Sequence, residues 1–522
     1  MSQLVLANPP KPLSGVDSPR PVAATRLPSP EWLYLLTSIL FGTAFVCLTP
    51  PFQAPDENAH FLRALQISEG RIVSVKSGNA TGDYLPSSVL AFVEHFRSMR
   101  FNPDVKTTAA HILASGEFQI DEQDRVFVGF SNAAIHPPLT YLPQASGMFL
   151  ARQFTGRLLI LFYAGRCLNL ATATLLIFYA IRLTPMGKWV FTILALTPMA
   201  VFLTASLSSD ATTNGFSFLL IAYVLRCAAG DEHSLTLANV LRLAVLGCAV
   251  GLSKQAYFLL PTCYLLIPAT KLASRWNYWF GFVLVVGATF LSVAAWAIIL
   301  RGIYSPADAM VGMNPRLQIQ FIVTHPFEFV QATLRTIGQA PMYLHQYIGV
   351  LGWLDTRLPR WVVLAEIIVI AVVCLADTTL HLKLWQCLSA VSIAVLVAGT
   401  VTVIIYLTWE PVGSNVIHLQ GRYFIPIGPL LGLAISGLKA ALFPTPSRTT
   451  SVGQMITSVA VTGLLVATFY AVYERYFVVK AWPVTTDDLR LQMGHDDEIG
   501  GQPHQVIPTT TRSEPPPSHY AM

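Results

Sequence analysis

Two adjacent carboxylates, Asp56 and Glu57, lie in the segment QAPDENAHF at 53–61, directly after the first long apolar stretch of the chain. A carboxylate at a membrane surface can act as general base on a hydroxyl group or bind a divalent cation. The alternative is a helix start in which Asp56 is the cap and Glu57 favours the helix dipole. Because His60 follows the pair, we predict a catalytic site; if it holds a cation, Mg²⁺ or Mn²⁺ at these two carboxylates is expected.

His136 precedes two prolines in the segment HPPLTYLP at 136–143. Proline suits the first turn of a helix, so the simpler interpretation is a helix start. The functional interpretation is a histidine that shapes an acceptor or phosphate site, and we name His136 as a third catalytic candidate. A metal site at His136 is not indicated, because no other histidine lies at ligand spacing.

Polar side chains also interrupt later apolar stretches. Lys254 and Gln255 lie between two of them, where a lysine must either snorkel to the interface or bind an anion. Arg422, beside Tyr423, suits forked contact with phosphate, although Arg and Tyr also mark membrane interfaces. Asp210 ends a Ser-Ser-Asp turn and has helix capping as its alternative role. The predicted substrate- and lipid-phosphate-binding residues are Arg422, Lys254, Gln255, His60, Arg63, Asp210 and Tyr423.

The elements that position these residues are membrane helices. Hydrophobic residues make up 53% of the chain and charged residues only 12%, with a mean hydropathy of +0.54. The predicted fold class is an all-α polytopic membrane protein with about 11 transmembrane helices, because apolar stretches of about 20 residues span a bilayer. The predicted spans have the approximate limits 32–50, 158–181, 189–206, 213–228, 237–252, 256–270, 278–300, 359–376, 386–407, 423–442 and 453–473.

The loops between these spans predict the orientation. Residues 1–30 form a flexible cytoplasmic tail, and the basic residues Arg182, Lys188, Arg226 and Lys271 then fall in cytoplasmic connections. The carboxylate pair and the other candidate site residues are thereby placed on the external face of the membrane.

The transmembrane domain is predicted to cover 31–476. Its longest polar segment, 52–156, is expected to be a large external loop with a functional role, and is called the first loop below. Within it, 56–69 has the pattern of an amphipathic helix that lies on the membrane surface. The segment 301–355 is predicted to be external or re-entrant, and 477–522 to be a disordered external tail.

Several classes of function find no support in the sequence. The seven cysteines have the spacing of neither a zinc site nor a disulfide framework. The net charge of +5 is spread over short loops, which argues against a nucleic-acid partner. Neither a phosphate-binding Walker loop nor a dinucleotide-binding fingerprint is found.

The motifs, taken in order, resemble a bacterial family of multi-pass membrane proteins known as domain of unknown function 2142. The resemblance covers about 35–440 and rests on the order of its motifs: QAPDENAHF at 53–61, HPPLTYLP at 136–143, the SSD turn at 208–210, GLSKQAYFLLP at 251–261, GWLDTRLP at 352–359 and QGRYFIPIGP at 420–429. That family is in turn similar in layout to the C-type membrane glycosyltransferases, which draw sugars from polyprenyl-phosphate carriers.

The resemblance implies a location, the bacterial inner membrane with the active face on the external, periplasmic side, and it implies a function. In the C-type enzymes a catalytic acid lies in the first external loop, and Asp56 or Glu57 occupies the matching position here. A polyprenyl-phosphate-linked sugar would enter from the lipid bilayer, with its phosphate held by Arg422 or Lys254. Many C-type enzymes carry a large soluble domain after the last span, whereas this chain has only a tail there. A glycan or a lipid-linked acceptor is therefore expected rather than a protein.

Two functions from other classes stay open. A transporter or flippase of lipid-linked glycans would place charged residues in a cavity within the spans and often shows repeated halves. A non-catalytic subunit of envelope polysaccharide assembly would use Asp56 only as a cap and Arg422 only as an interfacial residue, so that both tolerate substitution.

Overall fold

The computed structural model describes residues 29–304, 312–377, 379, 382–442 and 451–479. Of the two predicted tails, all but residues 29–30 and 477–479 lie outside the described residues. The described part is mainly helical, which confirms the predicted all-helical membrane class in its coarse form.

The helices and strands are numbered in chain order. The helices are α1 Pro30–Leu48, α2 Glu57–Ser68, α3 Ser88–His95, α4 Ala109–Ala114, α5 Ser131–Ala134, α6 Leu142–Arg152, α7 Leu158–Leu183, α8 Lys188–Ala195, α9 Pro198–Thr204, α10 Ser209–Ala229, α11 Leu237–Ser253, α12 Arg275–Ile299, α13 Pro315–Thr324, α14 Pro326–Gly338, α15 Ala340–Gly349, α16 Arg360–Ala376, α17 Leu384–Trp409, α18 Gly428–Leu442 and α19 Ser451–Phe477. The strands are β1 Val75–Ser77, β2 Ala80–Pro86, β3 Arg125–Gly129, β4 Val350–Leu351 and β5 Thr356–Arg357.

Among the described residues, 7 helices are long and apolar enough to cross a membrane. They are α1, α7, α10, α12, α17, the segment Gly421–Leu442 that ends in α18, and α19 from Val452. The predicted count of about eleven is not reached by this criterion, because four of the predicted spans are short or irregular. The predicted span 189–206 is broken between α8 and α9, where Pro198 cannot donate a helical hydrogen bond. The predicted span 256–270 consists largely of 3-10 turns, and α11 and α16 each have 17 residues.

The spanning helices pack around one large apolar core. Helix α7 lies against α1, α6 and α10, while α17 packs on α18 and α16 on α19. A hydrogen bond of 3.0 Å between the Ser38 and Thr174 hydroxyls joins α1 to α7. The ends of these helices carry the loops that form the candidate site.

The first loop folds as a compact unit around α2. Its strands form an antiparallel sheet in the order β1-β2-β3, with Val75 opposite Gly82 and Tyr84 opposite Phe127. The expectation that 56–69 lies on the membrane surface is wrong, because α2 is buried along almost its whole length. Its apolar residues pack into a cluster of aromatic rings, and its polar residues hydrogen-bond to neighbouring loop segments. The rings of that cluster are Phe52, Phe61, Phe92, Phe96 and Phe162.

The first loop also contains an ion-pair network. Glu69 accepts hydrogen bonds from Arg71, Arg125 and Arg152, and these residues line an open cavity of about 920 Å³. Each arginine has a carboxylate partner, so the network stabilises the loop surface and presents no unpaired charge for a ligand.

Contacts from the end of the chain's last described helix hold the first loop in place. The Arg475 guanidinium donates to the Met99 carbonyl of the first loop at 2.8 Å and also pairs with Asp355 at 2.7 Å, and the Thr107 amide donates to the Tyr476 carbonyl at 2.8 Å. The Trp353 indole donates to the Phe52 carbonyl at 2.9 Å, where the backbone has a φ of 65°. The route of the chain from α1 to Asp56 is therefore fixed by residues far away in sequence.

The segment 301–355 contributes α13, α14 and α15, followed by the β4-β5 hairpin. Helix α15 packs closely against the 3-10 turn Gly421–Ile427. A Cβ atom at Gly421 would clash with backbone atoms of Tyr343 and Tyr347. The close approach of the two segments thus requires glycine at 421, and it sets the position of the next residue, Arg422.

Candidate active site

Asp56 occupies the position before α2 in an unusual backbone conformation. Its φ of 57° and ψ of 13° lie in the left-handed region, which costs a non-glycine residue about 1 kcal/mol or more. Its side chain makes no hydrogen bond to the helix end. The carboxylate instead accepts a hydrogen bond of 2.8 Å from Nη2 of Arg422, and its side chain is 35% exposed. Asp56 therefore faces a cavity and does not act as a helix cap.

Asp56 is the first of four alternating charges. Arg422 lies between Asp56 and Asp210, with 3.6 Å from its Nη1 to Oδ2 of Asp210, and Lys254 donates to Oδ1 of Asp210 at 2.6 Å. The Tyr423 ring adds a cation–π contact, with its centroid 5.0 Å from Nζ of Lys254. Asp56, Arg422, Asp210 and Lys254 are called the charged cluster below.

Four chain segments meet at this cluster. Asp210 lies in the first turn of α10, whose N-cap Ser208 accepts a hydrogen bond from the Asp210 amide. Lys254 directly follows α11, and Arg422 lies in the 3-10 turn before α18. Helix ends place backbone and side-chain polar groups together, so the cluster forms where several spans end on the same side of the molecule.

Two buried histidines lie beside the cluster. Nδ1 of His60 shares a hydrogen bond of 2.8 Å with the Tyr141 hydroxyl, and Nδ1 of His136 lies 3.3 Å from Oε1 of Gln255. Burial lowers the pKa of His60 to about 4 against the opposing charges of Asp56 and Asp210. Burial, together with the charge of Lys254, lowers the pKa of His136 to about 3. Both imidazoles are therefore neutral at pH 7.

The pKa of Asp56 results from opposing effects. Burial raises it, but the positive charge of Arg422 and its hydrogen bond, with a smaller contribution from Lys254, outweigh the burial and lower the pKa of Asp56 below its ordinary value. The carboxylate is therefore ionised at neutral pH and can accept a proton.

Glu57, the other candidate base, points away from the cavity. Its side chain is fully buried and forms a forked ion pair with Arg166 of α7, at 2.8 Å and 2.7 Å. The Leu207 amide also donates to it at 3.0 Å. The proposed catalytic role of Glu57 does not fit this geometry, because both its oxygens already have partners. Arg166 received no role from the sequence, although an arginine within an apolar span was a usable signal.

Arg63 also lies outside the cavity. Its guanidinium is buried and donates to Gln66, to the Ile72 carbonyl at 2.9 Å and to the His136 carbonyl at 3.3 Å. Arg63 thus supports the backbone of His136, and substrate binding by this side chain does not fit the structure.

A cation held jointly by Asp56 and Glu57 does not fit either, because the two carboxylates are paired with different arginines in different places. Within the described residues, no group of three or more His, Cys, Asp or Glu side chains could hold a metal ion.

All four residues of the charged cluster line a cavity of about 660 Å³. Of the ten site residues predicted from the sequence, the eight other than Glu57 and Arg63 line this cavity: Asp56, His60, His136, Asp210, Lys254, Gln255, Arg422 and Tyr423. Helices α12 and α17 and the turn after α12 supply an apolar wall that the sequence did not identify, formed by Trp296, Ala297, Ile298, Leu300, Val401, Ile404, Ile405 and Trp409. Such a cavity can accommodate a ligand with one polar and one apolar end.

Comparison with known proteins identifies the family. The model of a family described as "Predicted membrane protein (DUF2142)" matches residues 39–431, so the chain belongs to this family and the resemblance found in its motifs is confirmed. No curated protein matches. Among solved structures, the chain is similar to the crystal structure of ArnT from Cupriavidus metallidurans bound to undecaprenyl phosphate. The identity is 12%, the match covers 87% of this chain and 77% of that chain, and the TM-score is 0.31. A likeness this slight says nothing further about the present chain.

Proposed function

We propose that this protein is a membrane glycosyltransferase that moves a sugar from a polyprenyl-phosphate carrier to a cell-envelope glycan or glycolipid at the periplasmic face. One observation carries the proposal: the ionised Asp56 carboxylate is accessible in a cavity that also contains Arg422, Lys254 and a long apolar wall. A proton acceptor, cations for a phosphate and a surface for a lipid chain are what this reaction requires.

In the proposed reaction, Asp56 accepts the proton of the acceptor hydroxyl. The acceptor oxygen forms a bond to the anomeric carbon of the sugar, the bond from that carbon to the carrier phosphate oxygen breaks, and the electron pair leaves with the phosphate. A lowered pKa makes Asp56 a weak base, which suffices because the phosphate is a good leaving group. Arg422 and Lys254 stabilise the charge that develops on that phosphate.

The remaining residues have supporting roles. The neutral imidazoles of His60 and His136 offer hydrogen bonds to sugar or acceptor hydroxyl groups without adding charge. The wall formed by α12 and α17 accepts the isoprenoid chain, because apolar side chains and a hydrocarbon ligand exclude water together. No step in this proposal uses a metal ion.

The test is transfer of radiolabelled sugar from polyprenyl-phosphate donors to envelope glycan, in membranes with matched amounts of each variant. Asp56→Asn keeps the shape but removes the base, and we expect a loss of about 10²-fold or more. Arg422→Ala is expected to lose transfer as well. Asp104→Asn is the matched control, since Asp104 is an exposed carboxylate in the same loop that does not line the cavity. Unchanged transfer in both site variants would favour the transporter or assembly-subunit alternatives.

A further inference from the structure

The charged cluster is electrically neutral as a whole. It contains two carboxylates and two cations, and each cation already lies beside a carboxylate: Arg422 beside Asp56 and Asp210, and Lys254 beside Asp210. The neighbouring histidines add no charge at neutral pH. A phosphate that enters the cluster therefore meets no net positive charge, because a neighbouring carboxylate offsets the attraction of each cation.

Arg301 is the fifth charged side chain of the same cavity. It lies just after α12, is exposed, and forms no ion pair with any carboxylate in the described part of the chain. Of the described residues, three cations and two carboxylates line the cavity, and the excess of one positive charge among them corresponds to Arg301. Because no existing ion pair has to break, this guanidinium is the cation most readily available to an incoming anion.

Arg301 directly follows the part of the apolar wall that α12 and its following turn supply. Its neighbours Ile298, Leu300 and Tyr304 line the cavity with it, and α17 supplies the rest of the wall. A ligand with a hydrocarbon chain along this wall would bring its head group to Arg301. The planar fork of a guanidinium matches two phosphate oxygens at once, which a lysine cannot reproduce.

We propose that Arg301 binds the phosphate of the prenyl-phosphate donor in the ground state, and that the charged cluster is thereby left to the sugar and the acceptor hydroxyl. This assignment rests on the proposed function and adds to it a residue and a division of the cavity. Arg422 and Lys254 then act on the phosphate mainly as its charge grows during bond cleavage, when exchanging an existing partner becomes favourable.

The experiment measures the affinity of the purified full-length protein in detergent for farnesyl phosphate, farnesol and inorganic phosphate. Trp296 and Trp409 line the cavity, so tryptophan fluorescence reports occupancy. The variants are Arg301→Gln and Arg301→Lys, with Arg316→Gln as the matched control: Arg316 is an exposed arginine of α13 that does not line the cavity.

We expect Arg301→Gln to weaken farnesyl phosphate binding about 10-fold or more, because a charge-assisted contact is lost. The affinity for farnesol should not change. The affinity of Arg301→Lys for farnesyl phosphate should lie between those of wild type and Arg301→Gln, and Arg316→Gln should match wild type. Equal farnesyl phosphate affinity in wild type and Arg301→Gln would overturn the assignment while the proposed function stands. Failure of the wild type to bind farnesyl phosphate would overturn both. A third outcome concerns the source of the anion. If inorganic phosphate bound more tightly than farnesyl phosphate, and if Arg301→Gln weakened the binding of both equally, the proposal that the anion belongs to a lipid would be overturned.

Discussion

The carboxylate of Asp56 and the guanidinium of Arg422 form a hydrogen bond of 2.8 Å although 366 positions separate the two residues. The pair joins the first loop to the turn before α18, and both residues line the cavity. The two partners differ in accessibility, since the side chain of Asp56 is 35% exposed and that of Arg422 only 4%. A ligand in the cavity can thus reach the carboxylate of Asp56, while the hydrogen bond from the largely buried Arg422 fixes the position of that carboxylate.

Removal of the Arg422 charge should change the pH dependence of transfer. Arg422 contributes to the lowered pKa of Asp56, so in Arg422→Gln the pKa of Asp56 rises and the carboxylate is protonated at a higher pH. We expect the acid limb of the residual transfer rate to move to higher pH in the variant, while the wild type keeps its rate to more acidic values. The measurement is a rate profile between pH 4 and 8, and coincident acid limbs would contradict the pairing.

Glu57 is expected to affect stability more than chemistry. Loss of one partner from a buried ion pair leaves an unpaired buried charge and costs about 3–5 kcal/mol, so Glu57→Gln should lower the thermal midpoint in detergent strongly. Glu94→Gln is the control, because Glu94 and Arg97 form an exposed pair with little effect on stability. The double change Glu57→Gln with Arg166→Met should recover part of the loss. Wild-type stability in Glu57→Gln would show that the pair is not structural.

The buried histidines predict a loss of stability in acid. Burial lowers the pKa of His136 to about 3, whereas in the unfolded chain it is about 6.5. Between these values the unfolded chain binds more protons, so stability falls as the pH drops from about 6.5 towards 3. We expect the thermal midpoint to fall less between pH 7.5 and pH 5 in His136→Gln than in wild type. The exposed His325, changed to Gln, should leave the drop unaltered, and an equal drop in all three proteins would contradict burial of a neutral His136.

Gly421 should be required for the position of Arg422. Alanine there would clash with the backbone of α15, which cannot move aside as a side chain can, so Gly421→Ala should displace the turn and reduce transfer by about 10-fold or more. Gly399→Ala is a suitable control, because apart from its chain neighbours and the nearby backbone of α17 itself no described atom lies within 4 Å of a Cβ at that position. Equal transfer rates for both variants at matched expression would show that the fit of the turn against α15 does not position the site.

Much of this organisation could be predicted from local features of the sequence. Apolar stretches of span length indicated a helical membrane protein, and the order of the motifs indicated the family. The ten candidate residues were chosen because they lie at the ends of apolar stretches or close to them, and eight of the ten line one cavity. The number of spans could not be predicted equally well from local features. Hydropathy does not indicate the break at Pro198 or the 3-10 turns within 256–270, because both depend on how these segments pack.

Only the tertiary structure separated Asp56 from Glu57. The two residues are adjacent and chemically alike, but the left-handed backbone at Asp56 sends their carboxylates in different directions, one to Arg422 and the other to Arg166. The sequence by itself determined that charge gathers at the ends of the spans, because hydrocarbon excludes it. Only the tertiary structure decided which charges pair and that Arg301 has no carboxylate partner among the described residues. The pairs form between segments more than a hundred positions apart, and spacing along the chain does not predict contacts at that separation.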